Sequence, residues 1–266
     1  MKAVNGTGGT AWRRRAGSRW LAVSIAWLAG CAAPVASPVA KPPRVLAPAA
    51  PAARPPIVRW HPPVALCGAS VRPASDGRVF GHLRYPEVAS ETLVAAPDRF
   101  GAECRMHPAV RADLERLLAA ADADPAVAGR LRAVSCHRGE ALQVQTFCGG
   151  IGPDGSATLS ERAWSSAPPG FSEHATGYAI DFGTRDANGC RDAEACFGNT
   201  AAGRWLFAHG ARFGFELSFP AGNRQGVKWE PWHWRWVGDA RAPGAAAARA
   251  VFAGARSRFP AAPVVR

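Results

Sequence analysis

Beyond residue 63, the spacing of apolar and polar residues predicts a mixture of helices and short strands. Apolar residues recur at helical spacing from 108 to 121, and Pro108 stands at the first turn, where helices tolerate proline. Shorter helical patterns cover 140–147 and 201–213, and Gly214 ends the second of them. These three segments are therefore predicted helices.

Other segments alternate apolar and polar residues, as half-buried strands do. The predicted strands cover residues 131–135, 177–182, 215–219 and 233–237. Segment 149–171 is rich in Gly and Pro and is predicted to be a loop. This order of elements predicts one α+β domain over residues 64–240.

The first thirty residues are typical of a bacterial lipoprotein signal peptide. Four arginines precede an apolar run over residues 20–30, which is shorter than the ~18 residues that a bilayer-spanning helix needs. The run ends at Cys31 in a sequence that resembles a lipobox, so we expect Cys31 to be lipidated. Ala32 follows, which resembles outer-membrane sorting in Gram-negative bacteria. The expected location is the periplasmic face of a membrane, and an ordinary secretory signal is the alternative.

Residues 31–63 are dominated by Ala and Pro, which favours an extended, semi-rigid tether. The net charge is +12, but the first 63 residues supply nine positive charges and no acid, so the remainder carries about +3. A nucleic-acid-binding domain would need a basic patch on its folded part, and that class is therefore disfavoured. Residues 241–266 are rich in Ala and Arg, and we expect them to form a peripheral tail.

Six cysteines follow Cys31, and an even number predicts disulfide bonds in an exported chain. Spacing does not determine their connectivity, but proximity along the chain favours the pairs Cys136–Cys148, Cys190–Cys196 and Cys67–Cys104. A thiolate metal site is the weaker alternative, because no Cys-x-x-Cys pair occurs.

Two segments carry residues suited to metal-assisted hydrolysis. The segment Phe-Ser-Glu-His-Ala-Thr-Gly-Tyr-Ala-Ile-Asp-Phe contains His174 and Asp181, and the segment Trp-Glu-Pro-Trp-His-Trp-Arg-Trp contains Glu230 and His233. Two imidazoles and one carboxylate are a common catalytic zinc set that leaves a fourth position for water. A nearby glutamate can take the proton of that water.

The second segment also predicts which side chains face the site. Pro231 prevents an uninterrupted helix through Glu230 and His233. On the strand that follows, His233 and Arg235 share one face, whereas the other face holds Trp232, Trp234 and Trp236. The polar pair is therefore expected to face a cleft, and the three tryptophans are expected to face a core or a wall.

The two segments together resemble those of the VanY-type D-alanyl-D-alanine carboxypeptidases, which belong to the larger lysostaphin, DD-carboxypeptidase and Sonic hedgehog zinc fold. Residues 135–143 resemble a third family element, Ser-Gly-Tyr-Arg-Ser-x-x-x-Gln. The resemblance spans roughly residues 104–238. It implies a small antiparallel sheet with flanking helices around a zinc site.

The resemblance also implies a role for each matching residue. The ligands of one zinc ion would be His174, Asp181 and His233. Glu230 would activate a zinc-bound water and pass its proton to the leaving amine. The terminal carboxylate of the substrate would be held by Arg138, whose planar guanidinium suits that task, with hydrogen bonds from Gln143 and Ser172.

This chain departs from the family pattern beside the clamp. Cys136 and His137 replace the family's Gly-Tyr, and Gly139 replaces its Ser. The missing tyrosine leaves open which side chain forms the pocket wall beside the terminal D-alanine, and so leaves the specificity open.

The expected function is that of a monomeric, lipid-anchored zinc carboxypeptidase acting on peptidoglycan stem peptides that end in D-Ala-D-Ala. An L,D-carboxypeptidase or an endopeptidase using the same site is the nearest alternative. A non-catalytic wall-binding lipoprotein is the alternative from another class, since a zinc fold does not guarantee hydrolysis. The presence of Glu230 together with all three ligands argues against it.

Overall fold

The computed structural model describes residues 61–266. The predicted signal peptide, Cys31 and all but the last three residues of the tether lie outside the described residues. Within residues 61–266, no helix combines the length and the apolar character needed to cross a membrane.

Eight strands and six α-helices make up the described part of the chain. The strands are β1 (Val64–Leu66), β2 (Ala69–Val71), β3 (Val94–Ala95), β4 (Arg105–Met106), β5 (Leu131–Ser135), β6 (Ala179–Thr184), β7 (Phe215–Leu217) and β8 (His233–Trp236). The helices are α1 (Pro108–Asp122), α2 (Glu140–Cys148), α3 (Leu159–Ser165), α4 (Ala201–His209), α5 (Ala245–Val251) and α6 (Ala253–Arg258). The α+β prediction is confirmed.

One four-stranded antiparallel sheet organises the domain, in the order β5-β6-β8-β7. Strands β1 and β2 form a separate hairpin, and β3 pairs with β4. The central strand β6 is buried along its whole length. In the sheet register Ser135, Asp181 and His233 lie side by side on three neighbouring strands. Chemistry-bearing residues far apart in sequence therefore meet at one place on the sheet.

Helix α1 covers one side of the core. Val110, Leu114 and Leu117 are fully buried on its inner face, as the helical spacing predicts. Asp113 is also buried, and its carboxylate accepts a hydrogen bond from the Trp236 indole at 2.9 Å. The buried Trp236 is thereby satisfied, and the prediction that the tryptophans of β8 face the core is confirmed for Trp234 and Trp236.

The predicted loop over 149–171 contains α3, so the loop prediction is wrong at that point. Thr158 caps α3 by accepting a hydrogen bond from the backbone of Glu161 at 3.1 Å. The Glu161 side chain reaches back to the amide of Ala157 at 2.9 Å. A Thr-x-x-Glu pair of this kind is a helix-start signal that the sequence contains.

The C-terminal segment, predicted to be peripheral, packs into the core instead. Ala248 and Phe252 are completely buried, and the Phe252 ring lies 5.6 Å from that of Tyr85. The small alanines of α5 allow this helix to approach the domain closely, and one large aromatic side chain then fills the contact. Residues 245–266 are therefore part of the folded domain.

Three disulfide bonds are present, and only one of them is the predicted pair. The bond Cys190–Cys196 confirms the prediction, whereas Cys136–Cys148 and Cys67–Cys104 are wrong. The actual pairs are Cys67–Cys148 and Cys104–Cys136. The chain after β5 runs beside the start of β4, where the amide of His137 donates to the Arg105 carbonyl at 2.9 Å. Pairing follows this spatial contact rather than distance along the chain.

Candidate active site

His174, Asp181 and His233 converge at one place. Each offers one ligand atom, and these atoms all lie within 4.8 Å of one another. Asp181 lies between the two imidazoles, with one carboxylate oxygen 3.1 Å from His174 Nε2 and the other 2.9 Å from His233 Nδ1. The cluster is buried. The structure thus brings together the three residues that the sequence predicted as ligands.

A tight turn lets the chain place His174 and Asp181 on the same centre. His174 lies in a 3₁₀ turn, Glu173–Thr176, which ends at Gly177 with a φ of +72°. A side chain at Gly177 would approach Leu93 to 2.9 Å. Because this left-handed backbone suits glycine and the space beside it is filled, the motif requires Gly177.

In each of the two histidines, the ring nitrogen that points away from the three-residue cluster has a hydrogen-bond partner. His174 Nδ1 lies 2.6 Å from the carbonyl of Cys136, which can only accept, so this nitrogen donates and leaves Nε2 free as a ligand. His233 Nε2 lies 3.0 Å from a carboxylate oxygen of Glu173. Each ring is thus oriented by a group outside the cluster, as metal-binding histidines are, and the donor set suits zinc.

His233 lies between two carboxylates. Burial alone would lower the pKa of His233, but hydrogen bonds to Asp181 and Glu173 outweigh burial and raise it to about 10. In the absence of a metal, the negative charges of Asp181 and Glu173 therefore keep both ring nitrogens of His233 protonated. A metal cation bound to Nδ1 would take the place of that proton.

Glu173 anchors a chain of buried charges behind His233. It also accepts hydrogen bonds from Ser218 at 2.5 Å and Tyr85 at 3.1 Å, and it pairs with Arg235 at 2.9 Å. Burial alone would raise the pKa of Glu173, but Arg235 and His233 hold it well below its ordinary range. From the sequence, Glu173 is expected either to be solvated or to be a partner of a ligand, and the structure shows the second. Its place beside His174 in the motif was the only signal.

The chain of charges continues to the C-terminal segment. Arg235 donates to Glu216 at 2.8 Å, and Glu216 is approached by Arg256 of α6 at 3.2 Å. The backbone amide of Val265 also donates to Glu216, at 3.3 Å. Residues near the end of the chain therefore support a ligand of the candidate metal centre.

Glu230 lines a cavity of about 340 Å³ that is also lined by the three candidate ligands. No hydrogen bond to its side chain occurs within residues 61–266. Burial raises the pKa of Glu230 to about 8, although the neighbouring His233 opposes this rise. A carboxyl group that gains and loses a proton near neutral pH is suited to general acid–base chemistry.

The predicted substrate-binding residues differ in their placement. Arg138 and Ser172 line the cavity, and Arg138 Nε is buried without a partner among the described residues. Gln143 lies behind the wall, where its amide donates to the Ala167 carbonyl at 2.6 Å. Gln143 therefore supports the wall at Ala167, which itself lines the cavity. Sequence reasoning missed Arg162, which lines the same cavity.

A larger cavity of about 510 Å³ lies elsewhere and is lined by Arg72, Arg78 and Trp164 among others. Its lining contains no histidine, cysteine or acid. It therefore lacks the groups that metal-assisted hydrolysis needs.

Comparison with known proteins relates this chain to carboxypeptidases. A family model described as "VanY: D-alanyl-D-alanine carboxypeptidase" matches residues 103–239. YodJ of Bacillus subtilis (strain 168), named as a carboxypeptidase, is 37% identical over 110 residues, which are 41% of this chain and 38% of YodJ. VanXYC of Enterococcus gallinarum, a bifunctional D-Ala-D-Ala dipeptidase and carboxypeptidase, is 37% identical over 76 residues, which are 27% of this chain and 39% of VanXYC. The chain thus spans less than half the length of either curated relative.

Two solved structures are also similar. The LD-carboxypeptidase LdcB is 26% identical with a TM-score of 0.49, over 63% of this chain and 75% of its own. The vancomycin-resistance D,D-pentapeptidase VanY, solved with Zn(II), is 22% identical with a TM-score of 0.45, over 66% of this chain and 94% of its own. The activities and the zinc ion in these descriptions are properties of those two proteins.

Proposed function

Because this chain belongs to the VanY D-alanyl-D-alanine carboxypeptidase family, we propose that it is a zinc-dependent D,D-carboxypeptidase. Its substrate would be a peptidoglycan stem peptide ending in D-Ala-D-Ala, from which it would release D-alanine. One observation carries the proposal: Glu230, whose carboxyl has no hydrogen-bond partner within residues 61–266, shares a single cavity with His174, Asp181 and His233.

His174, Asp181 and His233 would hold the zinc ion through His174 Nε2, an Asp181 oxygen and His233 Nδ1. When bound, zinc would supply a Lewis acid that polarises the scissile carbonyl and makes a nearby water more acidic. Glu173 and the Cys136 carbonyl would keep both imidazoles in orientation.

Glu230 would act as the general base. Its carboxylate accepts a proton from the attacking water as the oxygen adds to the scissile carbonyl carbon. The protonated Glu230 then donates that proton to the leaving nitrogen as the peptide bond breaks, so that D-alanine leaves as a neutral amine. The raised pKa of Glu230, about 8, matches both halves of this exchange at neutral pH.

Arg138 would bind the terminal carboxylate of the substrate. Its backbone amide donates to the carbonyl of His174 at 3.3 Å, and its side chain lines the cavity that contains the candidate ligands. The Ser172 hydroxyl, which accepts from the amide of His174 at 3.3 Å, has its own proton available for the same end of the peptide.

The direct test uses the full-length protein loaded with zinc and incubated with pentapeptide and tetrapeptide muropeptides. Mass spectrometry should find one alanine lost from the pentapeptide alone. Glu230→Gln should abolish this loss, whereas Glu115→Gln, a matched change at an exposed position of α1 outside the cavity, should not. Shortening of the tetrapeptide would move the assignment to L,D-activity. Intact substrates in the presence of bound zinc would refute the catalytic proposal.

We also propose where the protein is located in the cell. An exported lipoprotein with Cys31 as its modified residue, on the periplasmic face of a membrane, would meet the assembled wall directly. Incorporation of labelled palmitate into the wild-type chain but not into Cys31→Ser would support it, and equal labelling would contradict it.

A further inference from the structure

Two guanidinium groups share the candidate catalytic cavity without a carboxylate partner. Arg138 and Arg162 both line it, and within residues 61–266 neither takes part in an ion pair. Arginines elsewhere in the described chain, such as Arg132 and Arg235, do pair with acids. Partly buried positive charges that lack a counter-ion in the protein are expected to meet one in a ligand.

The protein holds Arg162 in a fixed position on the cavity wall. Its Nη2 donates to the carbonyl of Thr146 at 2.8 Å, and its Nε donates to the carbonyl of Phe147 at 3.2 Å. Both carbonyls belong to the last turn of α2, where the helix dipole favours a cation without neutralising it. A side chain at Gly150 would come within 2.4 Å of Arg162 Nε. The surrounding backbone is therefore shaped around this guanidinium, and Nη1 remains without a hydrogen-bond partner among the described residues.

Arg138 and Arg162 line the same cavity, so the two charges act on each other. Burial and the positive charge of Arg138 both lower the pKa of Arg162. The candidate ligand His174 lines this cavity as well, so both guanidinium groups share the cavity with the candidate metal centre. Two like charges in one cavity repel each other unless an anion lies between them.

We propose that Arg162 is the second half of a two-guanidinium clamp that binds the C-terminal carboxylate of the substrate together with Arg138. This inference rests on the proposed function and deepens it, because it makes Arg162 a residue that restricts cleavage to the last peptide bond. A free carboxylate neutralises the pair and accepts hydrogen bonds from both groups. An internal peptide bond offers only a neutral carbonyl and amide. A peptide that continues beyond the residue bound by the clamp would therefore leave Arg138 and Arg162 without an anionic partner.

The test compares a peptide with a free carboxylate against its C-terminal amide. Binding of D-Ala-D-Ala and D-Ala-D-alaninamide is measured by calorimetry on the full-length, zinc-loaded protein carrying Glu230→Gln, which cannot turn either peptide over under the proposed mechanism. We expect the free acid to bind at least ~10-fold more tightly than the amide, because hydrogen bonds to charged groups are the stronger ones. Adding Arg162→Gln should remove most of this preference by weakening binding of the acid alone.

A purely structural role for Arg162 gives a different result. If Arg162 only ties α2 to α3, Arg162→Gln will weaken both ligands equally or leave the preference intact, and either result overturns the proposal. Arg162→Lys keeps the charge and should retain part of the preference, which covers the case in which Arg162→Gln fails to fold. Arg185→Gln removes an exposed arginine outside the cavity and should change neither affinity. A preference for the free acid that depends on Arg162 in a protein without muropeptide turnover would support the clamp while refuting the proposed hydrolysis.

Discussion

Two glutamates lie near His233, and they lie in opposite kinds of surroundings. Glu173 is packed into the interior, where Arg235, Ser218, Tyr85 and His233 all contact its carboxylate. Glu230 is partly buried, lines the cavity and has no such partner among residues 61–266. Loss of water around each carboxyl favours its neutral form.

Their pKa values move in opposite directions because their partners differ. Positive charge and hydrogen bonds hold the pKa of Glu173 well below its ordinary range, so this group stays ionised and supports His233. Without them, burial raises the pKa of Glu230 to about 8. Near the same imidazole, Glu173 therefore stays a permanent anion, whereas Glu230 can be protonated and deprotonated. Only Glu230 can exchange protons during a reaction.

The largest expected effect comes from removing the titratable group. Glu230→Gln should lower kcat on a pentapeptide muropeptide by ~10²–10⁴-fold, because general-base assistance is lost while the ligands remain. Zinc content, measured by mass spectrometry on the purified protein, should stay at the wild-type value. Retained turnover in the variant would show that another group accepts the proton.

Changing the permanent anion should alter stability and metal binding instead. Glu173→Gln leaves Arg235 with one buried ionic partner fewer and removes the carboxylate at Nε2 of His233, so we expect roughly 3–5 kcal/mol of lost stability. Zinc affinity should also fall, by ~10–100-fold, as it does when a partner of a metal-binding histidine is removed. Urea unfolding and a competitive zinc titration measure the two effects. If Glu173→Gln lost only turnover and kept both properties, the two glutamates would not differ as described.

The contrast reaches into the C-terminal segment. Arg256→Ala removes one of the cations paired with buried Glu216, and about 1–3 kcal/mol of stability should be lost. Arg249→Ala is a suitable control, since Arg249 also lies in this segment but donates to the Val237 and Gly238 carbonyls and not to Glu216. Zinc affinity should decrease in Arg256→Ala and not in Arg249→Ala. Equal zinc affinities in the two variants would show that Arg256 of α6 does not affect the metal-binding capacity of His233.

The smallest effect concerns pH and needs protein freed of metal by a chelator. The folded-state pKa of Glu230 is about 8, above the ordinary value of 4.5, so the fold favours the neutral acid. Its contribution to stability is present below pH 4.5 and is lost as the pH rises through 8. Glu230→Gln should therefore become more stable than the wild type, by about 1 kcal/mol or more, at pH 9. Urea unfolding at pH 5 should show a much smaller difference between the two proteins, and a constant gap across this range would contradict the raised pKa.

The helices and strands with strong periodicity follow from the sequence. Strand β5 has the predicted bounds, and α1 extends the predicted helix by a single residue. Helix α3 was not predicted, because its segment is rich in Gly and Pro and was predicted to be a loop. The capping pair Thr158 and Glu161 indicates the start of this helix, but the prediction followed the composition of the segment instead.

Some residues of the candidate site could likewise be predicted from the sequence, and others could not. His174, Asp181, Glu230 and His233 were identified because each lies in a short segment whose residue types and spacing suit one chemistry. Arg162 stands outside those segments, and nothing in its local sequence distinguishes it from any surface arginine. Gln143 was assigned to the substrate, yet its side chain lies behind the cavity wall. A spacing pattern gives neither the orientation of a side chain nor its distance from a ligand.

Short-range spacing along the chain was enough to predict the α+β class, the candidate ligands and the candidate base, because such spacing encodes both periodicity and motif. Tertiary contacts fix the disulfide pairs, the burial of the C-terminal segment, the opposite ionisation of Glu173 and Glu230, and the cavity that Arg138 and Arg162 share. Each of these depends on contacts between segments distant along the chain. The charge state of a carboxyl follows from how much water and how much positive charge surround it, and only the packed fold fixes both.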